Sequence, residues 1–451
     1  MSSLHPNSVP ASVREPERRV QSWRDGRAFT RLLFDRLLPE DAWLERPIPV
    51  RHPFVFYEGH LAAFAVNTLV KNALGRPGVD PVLERLFERG IDPEGAGDGS
   101  APAWPARACV AAYVHAADKA LEAAFTFLTT AAHDAPNSPL LERDEAVFTV
   151  LEHELMHHET LLYMLRELPA TRKRRPSGFS PPEIGGPPPL PRSSTIPAGR
   201  ATLGADREAA VFGWDNEFPR AVRDVPAFSI DVYPVTNADF LEFVNAGGYL
   251  EPSFWSEQDF AWLRDAGIAH PHAWTRREGR WWCRAQFEDV PLPPAWPVWV
   301  TQAEASAYAR YRDRRLPTEA EWHRAAFGRP DGGENELPWG DGVADSRRGN
   351  FGIARFDPLP VDSFPSGASA FGVQDLVGNG WEWTASAFEP FPGFRPMASY
   401  PLYSTDFFDR DHAVLKGASP VTALPLVRRS FRNWFRTRYP YVFAKFRTVG
   451  R

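Results

Sequence analysis

Residues 170–199, ATRKRRPSGFSPPEIGGPPPLPRSSTIPAG, forbid regular structure near the middle of the chain. Proline locks φ and donates no backbone hydrogen bond, so this stretch can be neither a helix nor a central strand. It reads as an extended linker or a surface strap. Its basic start, Arg172 to Arg175, reads as solvated linker charge, with phosphate binding as the alternative. A break of this kind in 451 residues predicts two domains. The expected division is a four-helix bundle over 1–169, a Pro-rich linker over 170–195 and a second domain over 196–451. The fold class is α+β.

The two sides differ in texture. Before the break, four stretches carry apolar residues at helical spacing: 15–39, 54–75, 107–132 and 138–168. The last is the longest, with Ser138 as its N-cap and Pro169 as its stop. Helices of this length suggest a bundle. After the break, RATLGAD, FSIDVYPVT and AVLKGAS read as strands, and NADFLEFVNAG and TEAEWHRAAFG as short amphipathic helices. Segment 251–300 reads as an aromatic-rich loop.

Composition excludes several functions. The net charge is −6, and no basic run interleaves with aromatics, so nucleic acid is not an expected partner. No apolar run is long enough to span a bilayer, and residues 1–20 lack the apolar core of a signal peptide. The two cysteines, Cys109 and Cys283, fit a reducing cytosol, so a cytoplasmic location is expected.

LEHELMHHETLLYM (151–164) contains the pattern H-E-x-x-H, the signature of a zinc protease helix. His153 and His157 lie four residues apart, hence on one helical face. Ala146, Val150, Leu161 and Met164 share that stripe, which points both imidazoles into the bundle core. Two buried imidazoles need partners. A shared metal supplies them; ordinary hydrogen bonds are the alternative. The protease reading fails further on, because Thr160 and Tyr163 stand where a metzincin needs Gly and His. A third ligand must come from another helix. His60, in FYEGHLAAF, is the best candidate, with His52, His115 and His158 in reserve. Glu159 lies roughly 200° around the helix from His157, which argues against it as a carboxylate ligand. Three histidines with open positions suit Fe(II), Zn or Ni.

These residues resemble a known family. FYEGHL followed by LEHELMHHETLLYML is similar to the DinB-like domain of the hercynine sulfoxide synthases of ergothioneine biosynthesis. FGWDNEFPR (212–220), PVTNADFLEFV (234–244), RLPTEAEWHRAA (315–326), GNGWEWTAS (378–386) and RRSFRNWFRTRYPYVFAKFR (428–447) are similar to their formylglycine-generating-enzyme-like, C-type-lectin-related domain. RHPFVFYEGH, LFERGIDPE (86–94) and HHETLLYML look closest to the fungal-type enzymes and to the related selenoneine synthases.

The resemblance implies one non-heme Fe(II), held by His60, His153 and His157. It implies that iron and O2 join a sulfur or selenium donor to C2 of the imidazole of hercynine (trimethylhistidine). With no fused methyltransferase in this sequence, hercynine would arrive ready-made. Tyr400 matches a tyrosine that steers the reaction toward C–S bond formation rather than thiol oxidation, and Tyr403 matches its neighbour. Arg432-Asn433-Trp434 matches a motif whose Asn and Trp line the hercynine site. An aromatic face suits a trimethylammonium, which cannot donate hydrogen bonds.

There are departures from the mycobacterial-type pattern. Phe435 and, approximately, Tyr439 replace an acid and an arginine, and Met156 replaces a glutamine. That disfavours γ-glutamylcysteine as the donor and leaves cysteine or a selenosugar. Arg436 and Arg438 remain as possible anion holders. Cys283 is the only cysteine after the break, which argues against formylglycine generation by a cysteine pair. Asp215, Asn216 and Glu217 could bind Ca2+ or form a structural turn. The competing functional readings are a zinc-dependent DinB-like thiol transferase and a lectin-like binding module.

Overall fold

A computed structural model describes residues 16–88 and 103–451. Residues 1–15, most of the stretch read as leader-free, and residues 89–94 of LFERGIDPE lie outside the described residues. The chain forms two compact units. One comprises residues 1–177 together with 397–401, the other 178–396 with 402–451.

The first unit is helical. Its helices are α1 (Pro16–Leu32), α2 (Phe54–Ala65), α3 (Pro81–Leu86), α4 (Arg107–Thr130) and α5 (Glu145–Arg166). Two of them run into π-helical stretches, α1 into Leu33–Leu37 and α2 into Val66–Ala73. The short α3 was not expected. It starts on Asp80, whose side chain accepts from the amides of Val82 and Leu83, with Pro81 in the first turn.

The expected helix 138–168 is interrupted. Ser138 caps a 3-10 turn, Pro139–Asp144, and α5 begins only at Glu145. Arg143 and Asp144 take left-handed conformations, φ 55° and 59°, which a continuous helix cannot hold. α4, at 24 residues, is therefore longer than α5, at 22. Ala146, Val150, Leu161 and Met164 are all buried, as their stripe requires. Among the described residues no helix is long and apolar enough to cross a membrane.

The Pro-rich stretch is not free linker at either end. Arg172 pairs with Asp41 and Glu45, and buried Lys173 donates to the Arg166 carbonyl at 2.8 Å. Arg172 and Lys173 are thus not wholly solvated, while Arg174 is exposed. At the far end, β1 (Ser193–Ile196) starts inside the expected linker and pairs with one neighbour only, β4 (Phe228–Asp231).

The second unit also holds β2 (Gly199–Leu203) paired with β3 (Ala221–Val225), and helices α6 (Asn237–Asn245), α7 (Glu257–Asp265), α8 (Gln302–Tyr311) and α9 (Glu319–Phe327). Thr236, Thr301 and Thr318 cap α6, α8 and α9, each in a reciprocal bond with an acid three residues on. Segment 251–300 is not a loop. It contains α7 and a three-stranded antiparallel sheet, β5 (Trp274–Arg277), β6 (Arg280–Arg284) and β7 (Asp289–Pro291).

A four-stranded sheet forms the centre, in the order β10 (Asn433–Arg436), β9 (His412–Ala418), β8 (Gly380–Ala387), β11 (Ala444–Lys445). Only β8 and β11 run parallel. Three of the resembling motifs meet on it. Glu382 of GNGWEWT accepts from Trp322 of RLPTEAEW at 2.8 Å and from Arg447 at 2.6 and 2.7 Å. Lys445 bonds Asp375 at 3.0 Å. All four charges are buried and paired, which is how a fold tolerates them. Gly378, at φ 103°, must be glycine, because a Cβ would meet the Asn350 backbone at 2.6 Å.

Candidate metal centre

α5 carries Glu145, Thr149, His153 and His157 at successive intervals of four, so they form one row along the helix. His153 and His157 are buried, with their Nε2 atoms 3.2 Å apart. His60 arrives from α2, with ring centroids 5.2 Å from both. One ligating atom from each of the three lies within 4.8 Å of the others. Among the described residues this is the only group of three or more His, Cys, Asp or Glu gathered in that way.

The protonation pattern suits a cation. His60 Nδ1 lies 2.7 Å from the Phe87 carbonyl, so it carries the hydrogen and leaves Nε2 with a lone pair. That Nε2 is buried with no hydrogen-bond partner. A ligating histidine characteristically gives its other N–H to a carbonyl in this manner. Burial draws His60 down to about 4, against the opposing effect of the Phe87 carbonyl. Burial, then the neighbouring imidazoles, holds His153 and His157 well below the usual range. Three neutral imidazoles gathered within 4.8 Å, one of them with an unpartnered Nε2, fit a divalent transition metal.

The remaining polar neighbours are committed elsewhere. Glu154, the general base of the protease reading, is buried and accepts from Arg27 at 2.9 Å and Thr30 at 2.5 Å. His158 lies 2.8 Å from the Thr30 hydroxyl. His52 stacks on Phe56 at 4.1 Å, and His115 is exposed. Of the four candidates for a third partner, the structure brings His60 alone to the pair.

Aromatic rings wall the cluster. Phe64 stacks on His153 at 3.6 Å, and Phe56 on His60 at 4.9 Å. Tyr400, in the segment 397–401 that belongs to the helical unit, lies 5.1 Å from Phe64 and 6.2 Å from His153, ring to ring. Met156 is half-buried on α5. Sequence reasoning missed Phe87, whose carbonyl orients His60, and the partners of Ser399. No local sequence pattern signals the latter.

Residues 22–161 match the DinB superfamily, and residues 183–451 match the sulfatase-modifying factor enzyme 1-like domain. The hercynine oxygenase of Mycolicibacterium thermoresistibile is 34% identical over 422 residues, covering 90% of this chain and 89% of that one. The chain belongs to the hercynine oxygenase family. The Mycolicibacterium smegmatis member is 39% identical over 297 residues, 63% of this chain and 67% of its own. Ergothioneine biosynthesis protein 1 of Neurospora crassa is 27% identical over 502 residues, 92% of this chain and 55% of its own. Over the aligned lengths the mycobacterial identities exceed the fungal one.

In this member of the hercynine oxygenase family the other candidate residues lie in the second unit. Trp434, on β10, stacks on Phe388 at 4.4 Å and meets the edge of Tyr403 at 5.0 Å. Tyr403 in turn stacks on Trp214 at 4.0 Å. The two tyrosines three residues apart are therefore divided, Tyr400 with the histidines and Tyr403 with the tryptophans. Asn433 uses its side-chain oxygen on the next amide. Phe435 stacks on Tyr439 at 5.2 Å. Arg436 is half-buried 3.9 Å from Asp411, and Arg438 is paired with Asp259 at 2.8 Å. Asp215–Glu217 is a buried turn, with Glu217 bonded to Arg428 and Ser430, so its carboxylate is not left for calcium.

Proposed function

We propose that this chain is a non-heme Fe(II)- and O2-dependent oxygenase that joins a sulfur or selenium donor to the imidazole C2 of hercynine. The carrying observation is the convergence of three buried, neutral imidazoles, one with an unpartnered Nε2, in a chain whose relatives bear the name hercynine oxygenase. His60, His153 and His157 would hold the iron. Iron there would supply one-electron chemistry with O2 on its open side.

The other roles belong to the chain's own groups. Tyr400 holds its ring 6.2 Å from that of His153, and its phenol would deliver a proton or hydrogen bond to the reacting atoms. Trp434 offers a half-buried aromatic face to the trimethylammonium, and Asn433 an amide to the carboxylate. Tyr403 would keep the Trp434 ring in place. The Phe435–Tyr439 stack supplies no charge to a γ-glutamyl group, which favours cysteine or a selenosugar as donor. Arg436 and Met156 complete the proposed substrate contacts.

The test is a competition. Iron-loaded protein is given hercynine, O2 and an equimolar mixture of cysteine, γ-glutamylcysteine and selenosugar, and products are read by mass spectrometry. A hercynine adduct of cysteine or of the selenosugar is expected. Turnover without O2 in a zinc-loaded sample would overturn the reading in favour of thiol transfer.

A further inference from the structure

The histidine row on α5 has two earlier members, Glu145 and Thr149, and both grip one residue from far along the chain. The Ser399 amide donates to Glu145 Oε1 at 2.9 Å, and its hydroxyl does so at 3.0 Å. The Ser399 hydroxyl also lies 2.8 Å from Thr149 Oγ1. Thr149 is fully buried and Ser399 half-buried, so this hydroxyl pair is partly shielded from competing water. Tyr400 follows directly, with its ring against Phe64 and His153.

The spacing makes this a ruler. One interval of four along a helix advances about 6 Å, and consecutive Cα atoms stand about 3.8 Å apart. A residue held beside Thr149 therefore keeps its successor's backbone within one step of about 3.8 Å, and the length of the tyrosine side chain covers the rest, with the Tyr400 ring 6.2 Å from that of His153. We infer that Glu145 and Thr149 are positioning residues: they clasp Ser399 and thereby set where the Tyr400 phenol stands relative to the histidine cluster. The clasp rests on the functional reading only for its purpose, not for its geometry.

The test separates the two. In metal-free full-length protein with 3-fluorotyrosine at position 400, the 19F resonance reports the rings of Phe64 and His153 around it. Ser399→Ala and Thr149→Val should move it toward the value of free fluorotyrosine, while Thr149→Ser should leave it in place. Hydrogen exchange of the Ser399 amide should quicken in Glu145→Gln. An unmoved resonance in both Ser399→Ala and Thr149→Val would overturn the clasp. With iron, hercynine and cysteine, Ser399→Ala should lower kcat for coupled product on the order of 10–100-fold, as a misplaced reacting group does. It should have little further effect in a Tyr400→Phe background. If Tyr400→Phe alone leaves coupled product unchanged, the role given to Tyr400 falls, and the resonance still decides the clasp.

Discussion

Both units bury charged and polar side chains, but they do so to different ends. In the second unit the buried charges close on one another. Glu382 meets Arg447 and Trp322, Lys445 meets Asp375, Glu217 meets Arg428, and Glu319 meets Arg432. In each of these pairs the opposite charge lies within hydrogen-bond reach, which is how the fold keeps them buried. In the helical unit Glu154 and His158 are similarly satisfied through Arg27 and Thr30, yet beside them three imidazoles converge and the His60 Nε2 has no partner. Burial alone does not mark function. An unspent ligating atom, turned toward others of its kind, does.

That contrast can be broken at several points. Replacing His153 and His157 together with Ala should abolish metal binding and turnover while the chain stays folded, as read by metal analysis and circular dichroism. Glu382→Gln should do the reverse. Stability should fall by about 3–5 kcal/mol in denaturant unfolding, because Arg447 and Lys445 lose a buried counter-charge, while the histidine cluster is untouched.

Gly59→Ala tests the support of the metal centre. A Cβ there would lie 2.4 Å from the Phe87 ring and displace the residue whose carbonyl orients His60. Metal affinity should drop about 10–100-fold, measured by competition with a chelator. The smallest effect belongs to Thr236→Ala, which removes one helix cap in the unit that does not carry the histidine cluster. It should cost about 1 kcal/mol of stability and leave metal affinity unchanged.

What was legible in the sequence follows the same division. Helices with local signals were plain: α9 announces itself by Thr318 and Glu321, and α6 by Thr236 and Asp239. The histidine pair was legible because helical spacing alone puts both on one face. The break before α5 was not, since the apolar periodicity runs on through Arg143 and Asp144 and only backbone conformation stops it. The β5–β6 hairpin was missed because its strands are mostly Trp and Arg. Its turn, Glu278-Gly279 with both φ positive, is the hairpin signal that stood in the sequence. No local pattern could have joined Ser399 to Thr149, 250 residues apart.

The most direct measurement is O2 uptake by the anaerobically iron-loaded protein, with and without hercynine, in the presence of each donor. The account expects one iron per chain and uptake that depends on hercynine, with loss of both in His153→Ala. No uptake with hercynine and any of cysteine, γ-glutamylcysteine or a selenosugar would contradict it.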